Sequence, residues 1–224
     1  NRRKSAASFA GLKPKTPYSM QDMADDAFAL LDHLEIDAAH VVGISMGGMI
    51  VQTMALSQPK RVLSLTSIMS STGRRTVGWQ DPSLLPLLVA NRDRSREHYV
   101  ETSARLWRLI GSPHYPDSTE AIRERAGETW DRGLSRAGVM RQMGAILTQP
   151  DRSRALRSLR VPTLVIHGTH DKMVHVSGGR ATSQAVPGSE LLLIPGMGHD
   201  VPHELHETFV DAIRRVADRA RIER

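Results

Sequence analysis

Cysteine is absent from the 224 residues, which excludes disulfides, thiol nucleophiles and Cys-ligated metals and fits a reducing, cytoplasmic setting. Aromatic residues are scarce, at 4%, so the core must be assembled from Leu, Val, Ile, Met and Ala. No apolar run approaches the roughly 20 residues that a membrane-spanning helix needs. The opening Asn1-Arg2-Arg3-Lys4 is basic, but Lys13-Pro14-Lys15 follows before a hydrophobic stretch can develop, which argues against a signal peptide. A block of one charge sign is also missing. The 30 Lys and Arg exceed the 24 Asp and Glu to leave +6, and the pI is about 10.1. The signs are nevertheless interleaved, as in Arg92-Asp93-Arg94 and Arg123-Glu124-Arg125, without stacking aromatics between them. A solvated Arg-rich surface follows, with neither a nucleic-acid nor a membrane partner expected.

The chain does have 40% apolar and 24% charged residues, the balance of a soluble globular domain with room for one insertion. Residues 1–18 are polar and read as loop. Ser19 stands three residues before Asp22, a variant of the capping box. Met23, Ala27, Leu30, Leu31 and Leu34 follow at helical spacing, predicting a helix from Met20 to about Leu34. Val41-Val42-Gly43-Ile44 is short and wholly apolar, as expected of a strand buried on both faces. A helix-compatible stretch, Met46 to Ser57, stops before Pro59. Strands are expected at Val62–Ile68, Val161–His167 and Leu191–Ile194, and a last helix from about Glu204 to Arg221 with Leu205, Phe209, Ile213 and Val216 on one face. Strands alternating with helices predict a mostly parallel sheet flanked by helices.

The middle of the chain differs. Between about Thr72 and Leu159 there are helical patterns broken by Pro82, Pro86, Pro113, Pro116 and Pro150, but no convincing buried strand. Tyr99, Leu106, Trp107 and Ile110 suggest one amphipathic face, and Trp107 and Met140 read as packing residues. The organisation predicted is a core part over 1–71, a helical insertion over 72–159 and a second core part over 160–224.

Gly43-Ile44-Ser45-Met46-Gly47 is a G-x-S-x-G sequence set between the buried strand and the helix. In that setting the serine occupies a strained turn, Gly43 and Gly47 permit close approach of neighbouring segments, and the hydroxyl projects from the end of the sheet. The Met46 N–H lies at the positive end of the helix, where it can meet a developing oxyanion. The plainer reading is a Gly-rich turn whose serine caps a helix.

A serine hydroxyl needs a base to take its proton and a third group to hold that base. Val161 to His167 runs through Gly168 to Asp171, and Glu190 to Ile194 runs through Pro195-Gly196-Met197-Gly198 to His199. Both side chains would emerge at the same sheet edge as Ser45, in the chain order Ser, Asp, His. Ser45, Asp171 and His199 are therefore the candidate triad. His167 reads as packed within its strand, and His170 and His175 share a loop with Asp171 and cannot bridge two loops. His203 and His206 begin the last helix, and Asp200 points away on a tight turn. The cluster of His170, Asp171 and His175 is the one metal alternative, but it lacks a zinc-type spacing; no metal and no cofactor are expected.

His40-Val41-Val42-Gly43-Ile44-Ser45-Met46-Gly47-Gly48, Pro162 to Asp171 and Ile194-Pro195-Gly196-Met197-Gly198-His199 together resemble the α/β-hydrolase family over Ser19–Gly73 and Leu159–Ala220. The likeness is to its small-ester branch of aclacinomycin methylesterase-like enzymes, 3-oxoadipate enol-lactonases and cofactor-free haloperoxidases. The resemblance implies an α/β sandwich with residues 72–159 as a cap. It also implies a serine esterase acting on small carboxylic esters or lactones through an acyl-enzyme on Ser45. A perhydrolase, a non-catalytic ligand-binding module and a truncated, inactive fragment are the alternatives. The family places four strands ahead of the nucleophile strand, whereas about 40 residues precede Ser45 here. The expectation is an N-terminally truncated domain without its second oxyanion donor, with Asn1-Arg2 as a remnant of an Asp-Asn-Arg-Asp loop.

Overall fold

A computed structural model of the chain describes residues 16–86 and 95–222. The Asn1-Arg2 match, and the loop expected over 1–18 as far as residue 15, lie outside the described residues. Helix α1 (Met20–His33) opens on the capping box read from the sequence: the Ser19 N–H donates to Asp22 Oδ2 at 2.6 Å while the Asp22 N–H donates to Ser19 Oγ at 3.3 Å. Its buried stripe is Met20, Ala24 and Phe28, with Ala27 and Leu31 alongside; Leu30 and Leu34, expected inside, are exposed. The i, i+4 row from Met20 to Phe28 is the one that meets the neighbouring helix α2 (Met46–Ser57).

Strands β1 (Ala39–Ile44), β2 (Val62–Ile68), β3 (Thr163–Gly168) and β4 (Glu190–Ile194) form one parallel sheet in the spatial order β1-β2-β3-β4. One hydrophobic cluster joins α1, α2, β1 and the start of β2 to Leu156, Leu159, Ala185 and Val186. A second joins Ile68, Leu164, Ile166 and Ile194 to Phe209, Ala212 and Val216 of α8 (His206–Ile222). The sheet is thus covered by helices on both faces. Strand β1 departs from expectation. It buries Val41 and Gly43, but Val42 is 45% and Ile44 49% exposed. It lies at one edge of the described sheet, where no described helix covers its second face.

Between β2 and β3 run α3 (Arg96–Ile110), α4 (Thr119–Asp131), α5 (Arg136–Thr148) and the single turn α6 (Ser153–Leu156). Ser95, Ser118 and Ser135 each cap their helix, accepting from the N–H of His98, Ala121 and Gly138. Leu106 and Ile110 of α3 are buried with Leu84. Trp107, expected on that face, lies a third of a turn beyond Leu106 and is 37% exposed, and Tyr99 instead packs its ring 5.5 Å from Trp130. The insertion returns to the sheet through Arg152, which is 5% exposed. Its guanidinium donates to Gln52 Oε1 (3.2 Å), Gln149 Oε1 (2.7 Å) and the Ser71 carbonyl (3.0 Å). Burial pulls its pKa down to about 10, against a smaller opposing pull from Asp151.

Candidate active site

Strand β1 ends at Ile44, and the next residue carries the strain of the turn. Ser45 has φ 55 and ψ −115, a backbone state that costs a non-glycine residue about 1–3 kcal/mol and persists only where its surroundings enforce it. The Ser45 N–H donates to Ile68 O at 2.9 Å, continuing the β1–β2 ladder into the turn. Ser45 makes no side-chain cap on α2, so the plainer helix-cap reading does not describe it; its Oγ lies 3.0 Å from His199 Nε2. The close approaches are at Gly43, where a Cβ would run into the Gly47 carbonyl, and at Gly48, where it would lie 2.5 Å from Ser70 Cβ. At Gly47 a Cβ would meet nothing within 4 Å among the described residues. Gly48, rather than Gly47, is therefore the second position at which absence of a side chain brings α2 onto the sheet.

Asp171 sits in the loop after β3 and His199 in the loop after β4. His199 Nδ1 is 2.8 Å from Asp171 Oδ2. With the carboxylate as acceptor, the proton resides on Nδ1, leaving Nε2 to accept from the Ser45 hydroxyl. The other carboxylate oxygen, Oδ1, accepts from the N–H groups of Met173 (2.9 Å) and Val174 (2.8 Å). Asp171 is 4% and His199 8% exposed. The two loops touch because residue 168 is glycine: a Cβ there would run into the Met197 carbonyl.

A further histidine bears on the acid. His167, fully buried, donates from Nε2 to the Val174 carbonyl at 2.8 Å and lies 3.4 Å from Asp171 Oδ2. It is packed, as its place in the strand suggested, and it also faces the carboxylate. Among the described residues its Nδ1 is buried without a partner, lying where a side chain at Gly179 of α7 (Ser177–Ala185) would strike it. Burial alone pushes the Asp171 carboxyl up; the neighbouring His167 imidazole, the hydrogen bond from His199 and its charge, and the Val174 N–H together outweigh it and hold the group below the ordinary carboxylate value. A depressed folded value means that this stabilisation is complete above about pH 4 and is lost as pH falls through the folded value. Asp171→Asn is therefore expected to lower stability in urea at pH 7, and the gap between variant and unaltered chain to narrow as pH falls below about 4.

The remaining histidines go elsewhere. His175 stacks on Trp79 with centroids 3.9 Å apart, His170 lies 3.0 Å from Thr169 Oγ1, and His203 and His206 pack against each other. A cavity of about 340 Å³ opens behind the two loops among Trp107, Leu109, Pro113, Ile122, His170 and Lys172, and none of Ser45, Asp171 and His199 lines it.

The sequence matches the α/β hydrolase fold family over residues 3–204, and the chain belongs to that family. It is 29% identical over 221 residues to rhodomycin D methylesterase of Streptomyces sp. (strain C5), a match covering 88% of this chain and 72% of that protein. It is 27% identical over 213 residues to 3-oxoadipate enol-lactonase 2 of Acinetobacter baylyi, covering 94% of this chain and 75% of the relative. Among solved structures, a hydrolase from Pseudomonas aeruginosa superposes with a TM-score of 0.69 at 25% identity, over 91% of this chain and 73% of the other.

Proposed function

We propose that the chain is a serine hydrolase of small carboxylic esters or lactones, with Ser45 as nucleophile, His199 as general base and acid, and Asp171 as the group that holds His199. The observation that carries this reading is the run of short contacts from Ser45 Oγ through His199 to Asp171, 3.0 and 2.8 Å, starting from a residue at φ 55. Ser45 Oγ bonds to the ester carbonyl carbon as its proton passes to His199 Nε2. The oxyanion is met by the Met46 N–H, a first-turn amide that has no intrahelical acceptor. The intermediate collapses with cleavage of the C–O bond, and His199 returns the proton to the leaving oxygen. Water, deprotonated by His199, then attacks the acyl-enzyme and releases Ser45. Asp171 stabilises the imidazolium throughout. Residues 72–159 serve as the cap over this edge of the sheet, and residues 1–71 and 160–224 as the core. The methylesterase and enol-lactonase relatives support the substrate class.

Intact mass after exposure to a fluorophosphonate tests the reading. One adduct is expected on the unaltered chain and none on Ser45→Ala. Absence of an adduct on folded protein, or its persistence in the variant, would overturn the assignment of the nucleophile.

A further inference from the structure

The loop carrying His199 is gripped by the end of α3, in the helical insertion. The His199 N–H donates to the Ile110 carbonyl at 2.7 Å, filling one of the acceptors that the last turn of a helix leaves open. The preceding N–H, of Gly198, donates to Ser112 Oγ at 2.8 Å. The Ser112 hydroxyl in turn donates to Asp200 Oδ1, and the Ser112 N–H donates to Asp200 Oδ2 at 3.1 Å. The His114 N–H adds a bond to the Gly196 carbonyl at 3.3 Å. A Cβ at Gly198 would run into the carbonyl oxygens of Ile110 and Gly111, and one at Gly111 would lie 3.1 Å from Asp200 Oδ2. The two segments thus meet backbone to backbone, with Ser112, 4% exposed, as the only side chain of 110–112 bonded to the loop.

We propose that Ser112 and Asp200 are positioning residues for His199, forming a clasp through which the insertion sets the geometry of the base. The proposal rests on the reading of His199 as catalytic. Residues 198, 199 and 200 are each tied to residues 110–112, which fixes the backbone on both sides of the His199 Cα. The imidazole must then bridge Asp171 Oδ2 at 2.8 Å and Ser45 Oγ at 3.0 Å, a span with little tolerance. Ser112 and Asp200 bond to each other and to the loop backbone, and neither bonds to Ser45, so the clasp acts on the alignment of the base. A displacement of the order of 1 Å costs up to roughly 100-fold in rate.

The test uses the whole ¹⁵N-labelled chain with Ser112→Ala, Asp200→Ala and Asp200→Asn. The readouts are p-nitrophenyl acetate turnover, the rate of fluorophosphonate inactivation, the His199 Nδ1–H proton resonance and exchange of the Gly198 amide. Ser112→Ala is expected to lower kcat and the inactivation rate by about 10- to 100-fold with KM little changed, to broaden the Nδ1–H resonance and to speed Gly198 exchange. Asp200→Asn, which keeps one acceptor for the Ser112 hydroxyl but loses the one for the Ser112 N–H, is expected to recover part of what Asp200→Ala loses. A folded Ser112→Ala with unaltered inactivation rate and Nδ1–H resonance overturns the proposal. Should Ser112→Ala not fold, equal losses in Asp200→Asn and Asp200→Ala with the resonance intact overturn it instead. If the unaltered chain takes no label at Ser45 while resonance and exchange still respond to Ser112→Ala, the hydrolase reading fails and the clasp stands only as what places the His199 side chain. Labelling without that response removes the clasp alone.

Discussion

His199→Ala is expected to lower kcat for an ester such as p-nitrophenyl acetate by on the order of 10⁶-fold, and adding Ser45→Ala to it is expected to cost almost nothing more. Both expectations follow from the proposed division of labour. Ser45 Oγ has one described side-chain partner, His199 Nε2 at 3.0 Å, so without the imidazole nothing takes up the hydroxyl proton as the C–O bond forms. Without the hydroxyl, the imidazole has no nucleophile to activate. Residues that act as one unit are counted twice when their single-variant losses are summed. Asp171→Asn should be milder, about 10⁴-fold: the carboxamide keeps the shape of the acid but no longer enforces the Nδ1–H tautomer or stabilises the imidazolium. Additive losses in the double variant, established by steady-state kinetics, would show that Ser45 and His199 act in separate steps and would sink the triad.

The second large effect lies on stability. Arg152→Met is expected to destabilise the chain by about 2–4 kcal/mol, seen as a fall in the urea midpoint and a thermal midpoint lower by roughly 10 °C. Among the described residues Arg152 has no carboxylate partner at hydrogen-bond distance; its three described side-chain bonds run to Gln52, Gln149 and the Ser71 carbonyl. Gln52 is fully buried and donates its amide to Ser67 Oγ at 3.0 Å. The methionine relieves the cost of burying a charge, which is real, as the downward pull on the Arg152 pKa shows. It leaves two buried acceptors, Gln52 Oε1 and the Ser71 carbonyl, and the half-buried Gln149 Oε1 without a donor, each buried one worth about 1–3 kcal/mol, and the second effect outweighs the first. Arg152→Lys should rescue little, because an ammonium cannot span three acceptors set for a planar fork. A methionine variant as stable as the unaltered chain would mean that the acceptors find other partners.

Features local in the sequence were readable from it. The four strands fall within two residues of where apolar runs placed them, Ser19 and Asp22 form the box their spacing suggested, and Ser45, Asp171 and His199 meet as three separate loop motifs implied. What escaped notice depends on contacts with no period. Gln52 and Arg152 stand 100 positions apart and Ser112 and Asp200 88 apart, and nothing in either segment announces the other. Val42 and Ile44 looked like a strand covered twice because apolar character reports the preference of a side chain and not which neighbours reach it. Gly47 was chosen over Gly48 by the motif, whereas the crowding is set by Ser70 on another strand's loop. His167 carried no signal beyond its strand, since its tie to Asp171 exists only once the chain has turned at Gly168.

The pairing of β2 with β3 has an evolutionary consequence. Leu65 lies beside Thr163 in the parallel register, although the chain travels through the whole helical insertion between them. The entropy of closing such an excursion grows only logarithmically, so doubling its length costs roughly 0.6 kcal/mol. Lengthening, shortening or exchanging the insertion is therefore cheap in chain entropy, provided that the incoming segment supplies a buried cation against Gln52 and a hydroxyl against Gly198. Those two anchor points, with Leu156 and Leu159 in the core cluster and Ala145 against Met20 and Met49, set which recombinants of this scaffold remain viable.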